Sequence, residues 1–137
     1  MLGTQQEIPI QPVAKPILCS PFAEPGRHWV YDTQTGDARE EIGRRPASYW
    51  FKTQRTGSAQ MSLLAEEERD DLPLVNLLRE DVKRWRKNEY RNATPVTRQL
   101  LAHWARSDRI RRLFFCQMEA VETVIYINEI LASGKNP

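Results

Sequence analysis

Side chains able to do acid–base or nucleophilic chemistry are present in this sequence, but their spacing is not that of a catalytic site. Adjacent carboxylates at Asp70-Asp71 stand at a predicted helix start, where acidic residues cap the helix and favour its dipole. No serine lies in a GxSxG motif. The metal-ligating candidates, which have no zinc-site spacing, are His28, His103, Cys19 and Cys116. We therefore predict no catalytic residue and no metal site in this chain.

Two stretches combine positive charge with aromatic side chains. Residues 43–60 contain three consecutive aromatics flanked by arginine and lysine, and residues 79–112 contain 11 Lys/Arg against 4 Asp/Glu. Such surfaces can stack bases and contact phosphates. Two alternatives stay open, because aromatic residues also anchor loops and basic residues also cover solvated helix faces. The candidate nucleic-acid contacts are Arg44, Arg45, Tyr49, Trp50, Lys83, Arg84, Arg86 and Lys87.

One further residue type has a specific chemical use. Gln117 follows two phenylalanines and opens an apolar helical pattern. A glutamine amide has donors and an acceptor that match the N6 and N7 edge of adenine. Gln117 is therefore a candidate adenine contact, and the alternative is an ordinary glutamine on a helix surface.

Composition limits the class of protein. The 137 residues correspond to about one domain, and no apolar run approaches the roughly 20 residues that span a bilayer. The first 20 residues lack a basic start and are interrupted by prolines, which is not typical of a signal peptide. We expect a cytoplasmic protein with no membrane partner. No GxxxxGK[ST] phosphate-binding motif occurs in the sequence.

The sequence pattern predicts an α+β fold, and the elements that position these residues form two regions. In the first region, residues 1–60, a proline-rich extended arm over 1–26 precedes a β-hairpin over 28–42 with a turn at Gly36. The charged return strand of this hairpin should be an edge strand. An aromatic loop follows. The second region, residues 61–137, is predicted to be helical, beginning with a solvated helical turn or linker at Glu66–Glu68.

Three helices are predicted in the second region, over about 72–88, 95–107 and 113–132. The first begins at an Asp cap followed by Pro73, and the second at Thr94-Pro95. The buried stripe of the first is predicted as Leu74, Leu78, Val82 and Trp85, widened by Leu77. The stripe of the second is predicted as Val96, Leu100, Leu101 and Trp104. The third helix is apolar over more than half its circumference and needs partners on two sides.

Five blocks of the sequence carry a resemblance to a known family: Pro16–Trp29, Gly43–Phe51, Asp70–Asn76, Asn92–Thr97 and Arg112–Thr123. In this order they resemble the N-terminal part of bacterial DEAD/DEAH-box helicases related to the Res subunit of type III restriction enzymes. Together they extend the resemblance from about residue 9 to residue 131.

The resemblance implies that Gln117 corresponds to the adenine-reading glutamine of this superfamily 2 family. It also implies that the chain is an incomplete portion of a RecA-like helicase, truncated before the Walker A motif. The parent family uses ATP and Mg²⁺, whereas we expect no cofactor, ATPase or nuclease activity in this chain alone. The implied partners are the remainder of the helicase core and DNA. The alternative is a stand-alone basic helical module that binds nucleic acid or a protein partner.

Overall fold

A computed structural model describes residues 12–32, 35–52 and 67–134. These residues form two small antiparallel sheets and three helices. The α+β class, the hairpin and the three helices were predicted, whereas the second sheet was not. In chain order the elements are β1 (Arg27–Tyr31), β2 (Ala38–Ile42), β3 (Ser48–Lys52), β4 (Glu67–Asp71), α1 (Pro73–Lys87), α2 (Pro95–Ala105), α3 (Phe115–Ile125) and a π-helix (Tyr126–Leu131).

The chain divides into two compact units. One unit is Met1–Arg45 with Phe114–Cys116, and the other is Pro46–Leu113 with Gln117–Pro137. The domain boundary predicted at residues 60 and 61 lies outside the described residues.

The first unit contains the predicted β-hairpin. Strands β1 and β2 pair antiparallel with Trp29 opposite Glu40, and β2 pairs with no other strand in the described part of the chain. The turn closes through the Gly36 amide, which donates to the Asp32 carbonyl at 2.8 Å. Gly36 has a φ of 76°, which a glycine adopts without steric cost. The turn chemistry was therefore predicted correctly.

The described part of the proline-rich arm, residues 12–26, contains no helix and no strand. Proline supplies no backbone donor and its ring fixes φ, so this composition cannot sustain a ladder of backbone hydrogen bonds. One local turn forms where the Ala23 amide donates to the Ser20 carbonyl at 3.3 Å.

The second unit begins with a sheet that the sequence did not indicate. Five residues of the predicted aromatic loop form β3, and its partner β4 includes residues predicted as a helical turn or linker. The strands pair antiparallel with Tyr49 opposite Asp70. The prediction at Glu67 and Glu68 was wrong because the pairing partner overrides the low strand propensity of acidic residues. Glu66 lies outside the described residues.

The predicted Asp cap of α1 was also wrong. The N-cap residue is Leu72, and no side chain caps the helix. The start of the helix is instead bound to the residue before β3, since the Leu72 amide donates to the Ala47 carbonyl at 3.0 Å. The Asn76 amide adds two bonds to the Ala47 backbone, at 2.7 and 3.1 Å. Pro73 occupies the first helical position, as predicted.

Helix α1 buries only the second half of its predicted stripe. Val82 and Trp85 are fully buried and Leu78 packs against them, but Leu74 and Leu77 are 77% and 65% exposed. The stripe prediction was wrong for these two leucines because the core lies against the C-terminal half of the helix.

Helix α2 begins as predicted, with the Thr94 hydroxyl accepting a hydrogen bond from the Thr97 amide at 3.2 Å. Leu101 is buried and Trp104 is partly buried, whereas Val96 and Leu100 are exposed. The predicted stripe was therefore wrong for Val96 and Leu100. The helix ends at Ala105, two residues before the predicted end.

The third predicted helix divides into α3 and the π-helix that directly follows it. Two residues in this part of the chain, Tyr126 and Ile130, join the core formed by Val82, Trp85, Ala93 and Leu101. Trp85 lies edge-on to Tyr90, with ring centroids 5.0 Å apart, and also packs on Tyr126 at 5.4 Å. The core of the second unit is therefore centred on an indole ring.

Candidate functional site

Gln117 lies in the first turn of α3 and has an exposed side chain. Exposure makes its amide accessible to a ligand, as a base contact requires. It is equally compatible with the alternative interpretation, an ordinary glutamine on a helix surface. The adenine contact stays a prediction.

The three residues that precede Gln117 are held within the first unit. The Phe115 amide, one of the donors left free at a helix start, donates to the Pro21 carbonyl at 2.8 Å. The Phe114 ring packs on Phe22 with centroids 5.4 Å apart. Arg44, a predicted nucleic-acid contact, lies over the Phe115 ring at 5.4 Å. Arg44 therefore anchors the start of α3.

The other candidates from the aromatic stretch also have partners within their own units. The Arg45 guanidinium donates to the Trp29 carbonyl. The Tyr49 hydroxyl donates to Asp70 at 3.1 Å, and this hydrogen bond raises the pKa of Tyr49. The Trp50 side chain lies outside what the structure describes, so its predicted role stays a prediction.

The basic candidates on α1 differ in their surroundings. Arg84 is exposed and pairs with Asp81 one turn earlier. Lys83 is half-buried, whereas Lys87 is exposed at the end of the helix. Arg86 is directed inward, toward α3. The structure thus distributes these four cations over more than one face of the helix.

A buried carboxylate, Glu122 of α3, holds Arg86. The Glu122 side chain is fully buried and accepts from Arg86 Nε at 2.9 and 3.0 Å and from Arg86 Nη2. It also accepts a hydrogen bond from the Tyr90 hydroxyl at 2.7 Å. Both carboxylate oxygens are therefore satisfied, which a buried charge requires.

The same network sets the ionisation of its members. The hydrogen bond to Glu122 raises the pKa of Arg86. Burial raises the pKa of Tyr90, and the hydrogen bond to Glu122 raises it further. Tyr90 is thus a neutral hydrogen-bond donor and Arg86 a cation over the whole physiological range. Sequence reasoning missed Glu122, and the only signal was an acidic residue inside an otherwise apolar pattern.

A second carboxylate, Glu129 in the π-helix, contacts the start of α2. It accepts from the Thr94 backbone amide and from the Thr97 hydroxyl, the latter at 2.7 Å. Together with Glu122, it fixes the α1–α2 connection against α3 and the π-helix. Both acids have structural partners, so they are not arranged as a catalytic carboxylate pair.

The other candidate metal ligands are divided between the two units. His28 Nδ1 lies 2.9 Å from the Gly43 carbonyl, in the first unit, while His103 is exposed on α2. The Cys19 thiol contacts the Arg27 carbonyl at 3.5 Å. Among the described residues, no three His, Cys, Asp or Glu side chains are grouped to hold a metal ion. Nor does any helix described here combine the length and apolar character needed to cross a bilayer.

Comparison with protein-family models, with curated proteins and with solved structures found no match to this chain.

Proposed function

We propose that this chain is the N-terminal region of a DEAD/DEAH-box helicase related to the type III restriction enzyme Res subunit. In this proposal the chain is part of an incomplete RecA-like unit. It works together with an ATPase core and has no ATPase or nuclease activity by itself. Its partners are that core and DNA.

The exposed outer face of α3 and the π-helix carries this proposal. Val124, Ile127 and Leu131 are 61%, 41% and 49% exposed, at a spacing that places them on one side of the helix. The acidic residues Glu119 and Glu122 are buried instead. Exposed aliphatic side chains on a helix that buries its carboxylates are typical of a surface that packs against another apolar surface. The ATPase core of the parent family is the partner that the resemblance implies.

The second support for the proposal is the sequence resemblance, because its five blocks occur in the same order as in the helicase family. In two of these blocks, one residue has a structural role in this chain. Asn76 ties α1 to the Ala47 backbone, and Thr94 caps α2. Gln117, in a third block, lies in the first turn of α3 and has an exposed side chain. This is compatible with a role toward a nucleotide in the assembled protein.

ATP hydrolysis requires loop amides, a lysine and Mg²⁺ together at the phosphates. The 137 residues contain no GxxxxGK[ST] motif that would supply them. Gln117 could contribute an adenine contact, but a single amide gives little affinity by itself. ATP and Mg²⁺ are therefore assigned to the assembled protein.

Nucleotide assays test this proposal. The purified chain should neither hydrolyse ATP nor bind a fluorescent ATP analogue tightly. Gln117→Ala should change its unfolding free energy by less than about 0.5 kcal/mol, as for most exposed sites. In a protein that includes the ATPase core, the same substitution should weaken ATP use. Turnover by the isolated chain would contradict the proposal, and a large stability loss would assign Gln117 a structural role.

The second candidate function is a stand-alone basic module that binds nucleic acid or a protein. The excess of basic residues over 79–112 favours it. A stand-alone module should unfold cooperatively and remain monodisperse without a partner. A region that needs a core to cover its apolar face should bind hydrophobic dyes and aggregate.

A further inference from the structure

An open groove lies within the second unit, between the end of α1, the turn after it and the first half of α2. Its volume is about 590 Å³. Such a volume suits a small ligand or one residue of a polymer. The polar residues Arg86, Glu89, Arg98 and Gln99 line it, together with Tyr90.

The polar groups of the groove differ in whether the protein already uses them. Arg86 is engaged by Glu122. The Arg98 guanidinium and the Gln99 amide, by contrast, form no hydrogen bond or ion pair with any described residue. Arg98 and Gln99 are both exposed, on successive positions of α2. The groove thus presents a guanidinium fork and an amide whose donors are available to a ligand.

Several other arginines in the described ranges form ion pairs with acidic residues. Examples are Arg27 with Glu40 at 2.8 Å and Arg106 with Asp108 at 2.5 Å. Arg98 has no acidic residue within four positions along α2. Its charge is therefore not neutralised within the helix that carries it.

The turn that forms one wall of the groove has an uncommon backbone conformation. Glu89, Tyr90 and Asn92 have φ values of 54°, 55° and 65°, which non-glycine residues rarely adopt. The turn is held by Trp85 Nε1, which donates to the Arg91 carbonyl at 2.9 Å, and by the Tyr90 bond to Glu122. Strained backbone fixed in this way is common at binding sites, where it preorganises the wall.

We propose that this groove binds a phosphate group, with Arg98 as the charged donor and Gln99 as the neutral one. A guanidinium recognises phosphate through two parallel N–H donors. Pro95 and Ala102 line the groove between these polar groups and give it an apolar part. This inference stands on the groove alone and does not depend on the helicase proposal. It adds Arg98 to the candidate nucleic-acid contacts of this surface.

Glu89 is the one acidic residue in the lining, and it provides a second test of the proposal. Its carboxylate forms no hydrogen bond or ion pair with a described side chain. A negative charge beside the phosphate opposes binding, so neutralising it should strengthen binding. A residue that merely belonged to a general basic surface would be less sensitive to this change.

The test measures binding of a labelled single-stranded oligodeoxythymidylate by fluorescence anisotropy over a range of salt concentrations. Arg98→Gln should weaken binding about tenfold, as for loss of a charged hydrogen bond. It should also lower the slope of log affinity against log salt by about 0.7. Glu89→Gln should strengthen binding. Arg111→Gln is the matched control, because Arg111 is exposed and does not line the groove.

A second variant, Gln99→Glu, places a negative charge on the other donor position and should also weaken binding. Circular dichroism of each variant shows whether it is folded. Competition by inorganic phosphate at millimolar concentration would indicate a site for free phosphate, and its absence a site for the phosphodiester backbone. Equal losses for Arg98→Gln and Arg111→Gln, or no binding of either probe, would overturn the proposal.

Discussion

At the scale of single residues, Glu122 connects α3 to α1 and to the turn that follows it. Its carboxylate is fully buried and is the common partner of Arg86 and Tyr90. A buried ion pair stabilises a fold little compared with an apolar replacement, but breaking it leaves an unpaired buried charge. The network therefore specifies how α1 packs on α3 more than it adds net stability.

Replacing the carboxylate should consequently be costly. Glu122→Gln is expected to lower the free energy of unfolding by about 3 kcal/mol. The lower end of the usual range applies because the Arg86 side chain is 26% exposed. Urea denaturation measures the change. The matched control is Glu80→Gln on the exposed face of α1, which should cost less than about 0.5 kcal/mol. Equal effects of the two variants would contradict the assigned network.

Tyr90 gives a pH-dependent prediction. Its pKa is raised in the folded state, chiefly by burial and then by the hydrogen bond to Glu122. A raised folded pKa contributes stability below the unfolded pKa of about 10, and this is lost as pH rises toward the folded value. Tyr90→Phe lacks this contribution and should be about 1 kcal/mol less stable at neutral pH.

The difference in unfolding free energy between the wild-type protein and Tyr90→Phe should therefore become smaller as the pH rises above about 10. Denaturation midpoints measured at neutral and at alkaline pH test this. If the stability difference stays constant with pH, the pKa of Tyr90 is not raised in the folded state, which would contradict the account.

At the scale of elements, local signals predicted the start of α2 and the turn of the hairpin. Thr94-Pro95 begins α2 and Gly36 occupies the positive-φ position of the hairpin turn, since both depend on neighbouring residues alone. The contacts that the sequence did not reveal are long-range. Glu122 meets its partners across 36 and 32 residues, and β4 becomes a strand only through pairing with β3. An acidic pentapeptide has no strand signal of its own.

The two halves of α1 should respond differently to truncation. Trp85→Ala removes a fully buried indole and should cost about 3–5 kcal/mol. Leu77→Ala should cost less than about 1 kcal/mol, because this leucine is 65% exposed. Thermal or urea unfolding of both variants tests the placement of the core. A large loss for Leu77→Ala would mean that the first half of α1 is buried after all.

The candidate site was predictable only as a set of residue types. Sequence reasoning identified Gln117 and the basic stretch over 79–112, but not which cations the fold neutralises. Arg86, whose nucleic-acid contact stays a prediction, pairs with a buried acid. Arg98 was not named and lies in a groove. Pairing of this kind depends on tertiary contacts that periodicity does not reveal.

At the scale of the whole molecule, α3 and the π-helix expose an apolar face that includes Val124, Ile127 and Leu131. We predict that an uncharged hydrophobic dye such as Nile red binds the isolated chain. Replacing Val124 and Ile127 together with serine should reduce its fluorescence, because both side chains are exposed. Gln117→Ser with Asn128→Ser changes exposed polar residues of the same helical segment and should have no effect. Equal dye binding in both double variants would show that this face does not bind the dye.

We have proposed that this chain is the N-terminal region of a helicase and works with an ATPase core. The most direct measurement is the DNA sequence that follows the codon for Pro137. We predict a reading frame, in frame or one shift away, that encodes a GxxxxGK[ST] loop followed by a DEAD or DEAH box. Unrelated sequence at that position would contradict the helicase account and favour the stand-alone basic module.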